Sequence, residues 1–295
     1  MNGAAILYAL LFLMVAFWSG NYIAGKIALR EFSPLFLAGL RIGFAGVAML
    51  PLYAWQRVRV TEPRPSGSAR ATLQLLLLGL FGVTLNQVLF VVGLSRTSVA
   101  HAAILIGLTP VMVLIVAWLR GQERITPRKA AGMAIALAGV AVLKAFDPAG
   151  GAGATWAGDF IILLAGFCFA LFTVFGKEAT EQYSTITMNT YAYVGGAVAL
   201  LPLTLREAAR QPLAHVSAGA WLAAIYMALF PSVIAYLIYY HALAHMTASR
   251  VSAFSYLQPV FASIMGVAIL GETLGAPVIA GGAVILTGVY LAERD

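Results

Sequence analysis

The chain has 295 residues, 61% of them hydrophobic and 10% charged, with a formal net charge of +7. A soluble domain carries about 25% charged residues, so too little polar surface is present to solvate a compact body of this size, and the mean hydropathy of +0.91 makes the bilayer the natural solvent. The positive charge does not indicate a nucleic-acid partner, because Lys and Arg cluster in short loops between apolar runs, the pattern that orients membrane proteins.

Taken in chain order, apolar stretches suited to spanning helices of about 20 residues lie near 4–25, 34–55, 71–92, 98–119, 129–146, 156–176, 185–205, 218–240, 249–270 and 275–292. The pattern predicts an all-α membrane protein with ten transmembrane helices. The first run, "MNGAAILYALLFLM", has no basic n-region and outlasts a signal-peptide core, so it is expected to remain as the first span. The longest loop, with "RVRVTEPRPSGSAR", separates the second and third spans. The glycine-rich "DPAGGAGATWAGD" suits a linker between two halves, 1–147 and 148–295. Arg57, Arg59, Arg64, Arg70, Arg120, Arg124, Arg128 and Lys129 all fall in loops on one side. That side is expected to be cytoplasmic, with both termini there and the protein multi-pass in the cell's inner membrane. The single cysteine, Cys168, leaves no intramolecular disulfide, and no thiolate metal site or other metal or cofactor site is expected.

Within this order one segment occurs twice. "LTPVMVLIVAWLRGQE" ends at Glu123 and "LQPVFASIMGVAILGE" at Glu272, 149 residues later (272 − 123). The register continues through Gly132 and Gly139 onto Gly281 and Gly288. Five spans separate the copies. Five is odd, so the second copy crosses in the opposite sense. Such inverted-topology repeats enclose a site near the bilayer midplane and rock against each other to expose it to alternate sides.

"LFLMVAFWSGNYIAGKIAL" resembles the first helix of EamA-type transporters of the drug/metabolite transporter superfamily. The two halves, each with a proline, an apolar run, a Gly- and Glu-containing end and a glycine-spaced helix, resemble that family's doubled domain across essentially the whole chain. The resemblance implies ten helices in two inverted five-helix repeats and export of small metabolites, amino acids among them. The family pattern falls on Trp18, Asn21, Lys26, Arg41, Pro110, Glu123, Lys177, Pro259 and Glu272. One departure is "RGQE" in the first copy against "LGE" in the second, which puts the local turn at Gln122 in question.

Polar and aromatic residues at depth form the candidate substrate site: Trp18, Asn21, Asn86, Gln87, Tyr236, Tyr240, Tyr256 and Gln258. Polar groups at such depth face the bundle interior, and a few amides among aromatic rings suit a small-molecule pocket; hydrogen bonding between helices is the alternative reading. Candidate gating or coupling residues are Lys26, His101, Pro110, Glu123, Lys177, Arg250, Pro259 and Glu272. The prolines can bend their helices. The lysines either reach the headgroups or attract an anionic group at one mouth. Glu123 and Glu272 either tie loops at the interface or couple to protons. His101 and Arg250 occupy equivalent repeat positions, and only the histidine titrates near neutral pH. Arg41 is expected to pair within the bundle in a structural role. The paired glycines are explained by close helix packing.

No Walker motif supplies ATP drive, and none of the eleven acidic residues lies deep in a span. The reading is a secondary transporter, not an enzyme, that exports small amphiphilic metabolites by alternating access, with solute and membrane lipid as its partners. A polytopic enzyme of lipid or isoprenoid substrates is the alternative. It would require clustered acids or histidines at a membrane face, which the sequence does not show. A non-transporting scaffold or receptor would have no need of mid-span polar residues.

Overall fold

A computed structural model describes residues 3–59, 68–97, 99–145, 155–270 and 276–293. Backbone polar groups in hydrocarbon must be satisfied within their own segment, and every apolar stretch predicted above is helical. In chain order these are α1 (Gly3–Ala28), α2 (Pro34–Arg59), α3 (Ala69–Leu94) and α4, which has two pieces (Val99–Ile106 and Thr109–Leu119), then α5 (Pro127–Ala145). The second half has α6 (Trp156–Ala179), α7 (Thr185–Ala208) and α8 (Ala218–His245). Next come α9, built from Ala248–Ala253, a 3-10 turn Phe254–Leu257 and Gln258–Leu270, and finally α10 (Ala276–Glu293). Six of them, α1, α2, α3, α6, α7 and α8, are continuous helices long and apolar enough to cross a membrane. No strand occurs among the described residues. Trp55, Leu73, Trp118, Phe160, Leu205 and Leu222 point outward and are exposed, an apolar surface suited to lipid.

Local signals set the helix ends. Ser68, Thr155, Ser184 and Ser217 each accept a hydrogen bond from a first-turn amide, which satisfies one of the orphan donors at a helix start. The turn after α4 resolves the "RGQE" departure. Gly121 takes φ +70°, and the amides of Gly121 and Gln122 donate to Trp118 O and Ala117 O, both at 2.9 Å. These are the two bonds of a Schellman motif. The residue that must be glycine is therefore Gly121, and Gln122 is accommodated.

The helix pairing repeats with a shift of five elements. α3 packs on α6 as α8 packs on α1, and α4 packs on α6 as α9 packs on α1. The pairs α2 with α7 and α5 with α10, each its own equivalent, are the most extensive. This is a two-repeat fold with the relation between halves expressed in the packing. The glycine stripe sets the closest of these contacts. A Cβ built at Gly132 would lie 2.5 Å from Ala292 N, and one at Gly288 would lie 2.4 Å from Ala136 N, so α5 and α10 meet backbone to backbone.

Two features shape the centre. α3 and α8 each contain a π-helical turn, Leu80–Leu85 and Leu229–Ile234, 149 residues apart (229 − 80). π-turns inside α-helices are frequent at functional sites. Pro231 lies in the second and Gly82 at the equivalent place in the first. Phe172 lies flush against Gly82, where a Cβ would come within 1.9 Å of its ring. The repeated prolines lie where α4 and α9 are interrupted. Pro110 and Pro259 are each the second residue of a new helical piece, the position where a missing N–H costs nothing. The bend predicted at each proline is thus a break immediately before it.

Candidate functional site

Between the two repeats lies a cavity of about 70 Å³, where α1, α2, α3, α4, α6, α8 and α9 meet. Small-molecule sites commonly measure about 300–1,000 Å³, so this space is smaller than such a site. Of the sequence-predicted residues, Trp18, Asn21, Asn86, Tyr236 and Gln258 line it. Tyr22, Arg41, Phe90, Ile106, Thr109, Phe169 and Ser255 complete the wall.

Hydrogen bonds tie this wall to the π-turns. The Trp18 indole N–H donates to Pro231 O at 3.0 Å, and the Tyr236 hydroxyl donates to Gly82 O at 2.9 Å. These two carbonyls are repeat equivalents (231 − 82 = 149). Tyr236 also lies 3.3 Å from Asn86 Oδ1, and the Asn86 amide donates to Ala165 O at 2.9 Å. Trp18, Phe169 and Tyr236 meet edge to face at centroid distances of 5.6–6.1 Å, the arrangement aromatic quadrupoles favour. Beside the α9 break, the Tyr22 hydroxyl donates to Gln258 Oε1 at 3.1 Å and Ser19 Oγ to Gln258 O at 3.2 Å. The Arg41 side chain is buried, and its Nε donates to Ser232 Oγ at 2.7 Å within the α8 π-turn.

Three predicted residues sit behind the wall. Gln87 Nε2 donates to Tyr193 OH at 2.7 Å, which in turn donates to Ser232 O at 2.9 Å. Tyr240 packs on Phe172 with centroids 5.1 Å apart. Tyr256 is fully buried, with no hydrogen-bond partner for its hydroxyl among the described residues. The repeat could have located several residues that sequence reasoning passed over. Phe169 stands at the equivalent of Trp18 (169 − 18 = 151), Thr109 at that of Gln258 and Ile106 at that of Ser255 (258 − 109 and 255 − 106, both 149).

Pro110 and Pro259 directly follow the lining residues Thr109 and Gln258, whereas Lys26, Lys177, Glu123 and Arg250 do not line this cavity. Lys26 Nζ donates to Leu94 O and Thr97 O, both at 2.8 Å. Lys177 Nζ donates to Leu243 O, and to Met246 O at 3.0 Å. Each ammonium thus caps the C-terminal carbonyls of a neighbouring helix, α3 or α8, where a cation complements the helix dipole. Glu123 is buried and pairs with Lys129 at 3.0 Å. It also accepts from Ser249 N at 2.9 Å and from Ser249 Oγ, fastening the α4–α5 turn to the first turn of α9. Arg250 borders a separate cavity of about 540 Å³ between α1, α9 and α10, walled by Tyr8, Phe12, Phe254 and Leu286 among others. His101 lies on the first piece of α4, but its side chain is outside the described residues, as is Glu272 entirely.

Comparison with known proteins agrees with this architecture. A previously solved crystal structure superposes with TM-score 0.76 over 98% of this chain and 96% of the other, at 20% sequence identity, which shows a shared fold. An uncharacterized transporter of Archaeoglobus fulgidus is 31% identical over 290 residues, covering 96% of each chain. A probable terminal-alkyne amino-acid exporter of Streptantibioticus cattleyicolor is 28% identical over 284 residues, 96% of this chain and 92% of its own. An S-adenosylmethionine/S-adenosylhomocysteine transporter of Chlamydia trachomatis is 28% identical over 279 residues, 90% and 82% of the two chains. The profile of the EamA-like transporter family matches residues 5–144 and again 156–293. Two matches, one per repeat, and six membrane-length helices make this a multi-pass membrane protein; the chain belongs to the EamA-like transporter family.

Proposed function

We propose that this chain is a secondary transporter that exports small amphiphilic metabolites, amino acids or close relatives, by alternating access. The observation that carries the reading is the small cavity between the repeats, lined by residues beside both proline breaks and hydrogen-bonded through Trp18 and Tyr236 to both π-turns. A π-turn and a broken helix are places where a packed bundle can change its ladder of backbone bonds without unfolding. Five helices of one repeat, 1–147, move against five of the other, 148–295. With both termini cytoplasmic, Lys26 latches α3 at the outer face and Lys177 latches α8 at the inner face. Glu123 and Arg250 sit at the inner face. Glu272, His101 and the helix around it sit at the outer face, where the histidine lends the transport rate its pH sensitivity. Trp18, Asn21, Asn86, Tyr236 and Gln258 contact the solute. Gln87, Tyr240 and Tyr256 hold those side chains in place.

Purified protein in liposomes, loaded with a metabolite panel and assayed with and without a pH gradient, tests the reading. Protein-dependent release of at least one amphiphilic solute, lost on Trp18→Ala, is the expected result. Release of nothing beyond protein-free liposomes contradicts it.

A further inference from the structure

Among the described residues Arg41 is the one cation in the cavity wall. It is 3% exposed and lies about two turns into the apolar α2, Pro34–Arg59. Its guanidinium carries five N–H donors and stays charged at every accessible pH. Among the described residues only Nε is engaged, by the neutral hydroxyl of Ser232. No carboxylate pairs with it among the described residues, and its electrostatic neighbours are the phenols of Tyr193 and Tyr236. A charge within a membrane bundle is expected to be paired or to face a functional cavity.

The repeat sets Arg41 apart. Several features recur in both halves: Lys26 with Lys177, Pro51 with Pro202, one π-turn with the other. Arg41 does not. At the same offset (192 − 41 = 151), α7 carries Ala192. The cation thus stands on one side of the cavity alone, as a single ligand in a single cavity requires.

The rest of the wall supplies the complementary chemistry. Asn21 is 5% exposed and Thr109 2% exposed, and Asn21 Oδ1 and Thr109 Oγ1 have no hydrogen-bond partner among the described residues. Both line the same cavity. Unsatisfied buried acceptors call for N–H donors. A planar donor fork suits a carboxylate, two oxygen acceptors suit an amino group, and the aromatic rings suit an apolar body.

We propose that Arg41 binds the carboxylate of the transported solute and that the substrates are therefore amino acids carrying a free carboxylate. This rests on the transport reading above and deepens it. The test loads liposomes containing the full-length protein with the standard amino acids and the amide of each. At least one amino acid should leave faster than from protein-free liposomes, and its amide at least about tenfold more slowly, since the amide cannot form the charge-assisted pair. Arg41→Gln should collapse that acid-to-amide ratio toward one. The ratio is taken within one variant, so the amount of folded protein cancels. Where Arg41→Gln cannot be purified, Arg41→Lys keeps the charge, loses the fork and should lower the ratio part of the way. Efflux of amides as fast as their acids, or an unchanged ratio in an Arg41 variant, overturns the assignment and leaves transport standing. Efflux of neither acids nor amides overturns the assignment together with the amino-acid reading on which it rests.

Discussion

Lys26 and Lys177, 151 residues apart (177 − 26), each place one ammonium on two carbonyls at the C-terminal end of a neighbouring helix. The two halves therefore share a fastening device as well as a sequence pattern. Hydrogen bonds to a charged group contribute about 1.5–3 kcal/mol each when partly buried. Replacing either lysine with methionine should lower the thermal midpoint in detergent, and arginine should restore part of it. In the transport account the two variants also shift side accessibility in opposite directions. Two variants that behave alike in vesicles, or neither losing stability, would count against the latch assignment.

The α5–α10 contact leaves no room for a side chain. Gly288→Val should cost about 1–3 kcal/mol, the usual range for overpacking, because the obstruction is the Ala136 backbone. Gly43 in α2 provides the control, since nothing lies within 4 Å of a Cβ built there. Gly43→Ala should be neutral or stabilise by up to about 1 kcal/mol through helix propensity. Unfolding followed by tryptophan fluorescence distinguishes the two.

Glu123, Lys129 and Ser249 form a buried network at the end of α4. Removing one charge of a buried pair costs about 3–5 kcal/mol, more than removing both. Glu123→Gln and Lys129→Met should each destabilise more than the double variant does. Additive losses would show that the two charges act independently.

Glu31, in the turn between α1 and α2, accepts bonds from Ser217 Oγ at 2.5 Å and Ser217 N at 2.6 Å. The side-chain bond first, and then the backbone bond, hold its carboxyl below the usual carboxylate range. A depressed folded value means that the contact is present above the unfolded value of about 4.3 and is lost as pH falls through the folded one. Protection against hydrogen exchange at the first turn of α8, taken relative to the intrinsic amide rate at each pH, should fall on acidification below pH ~4 in the wild type. In Glu31→Gln that protection should be independent of pH across the same range.

The helical stretches, the proline positions and the glycine stripe were legible because each leaves a direct mark: apolar length, a missing N–H, a seven-residue spacing of small residues. The π-turns were not, because one widened turn leaves hydropathy unchanged, and a lone glycine or proline such as Gly82 or Pro231 equally marks close packing or a kink in a membrane helix. Depth in a span turns polar residues inward, but "inward" includes the interfaces between helices as well as the cavity. Asn86 and Gln87 are neighbours, yet about 100° of helix rotation puts one on the cavity and the other on Tyr193. The sequence suggests a structural role for Arg41, and its lack of a described acidic partner becomes visible only once the helices are assembled.

The account rests on one cavity that opens to each side of the membrane in turn. Ser255 lines it from the α9 3-10 turn, so the most direct measurement is labelling of Ser255→Cys in a Cys168→Ala background. The sealed vesicles are exposed to a membrane-impermeant maleimide added outside, or trapped inside. The account predicts modification from either face, slowed from both by whichever solute the protein releases in the liposome assay. Modification confined to one face, or unaffected by that solute, would contradict it.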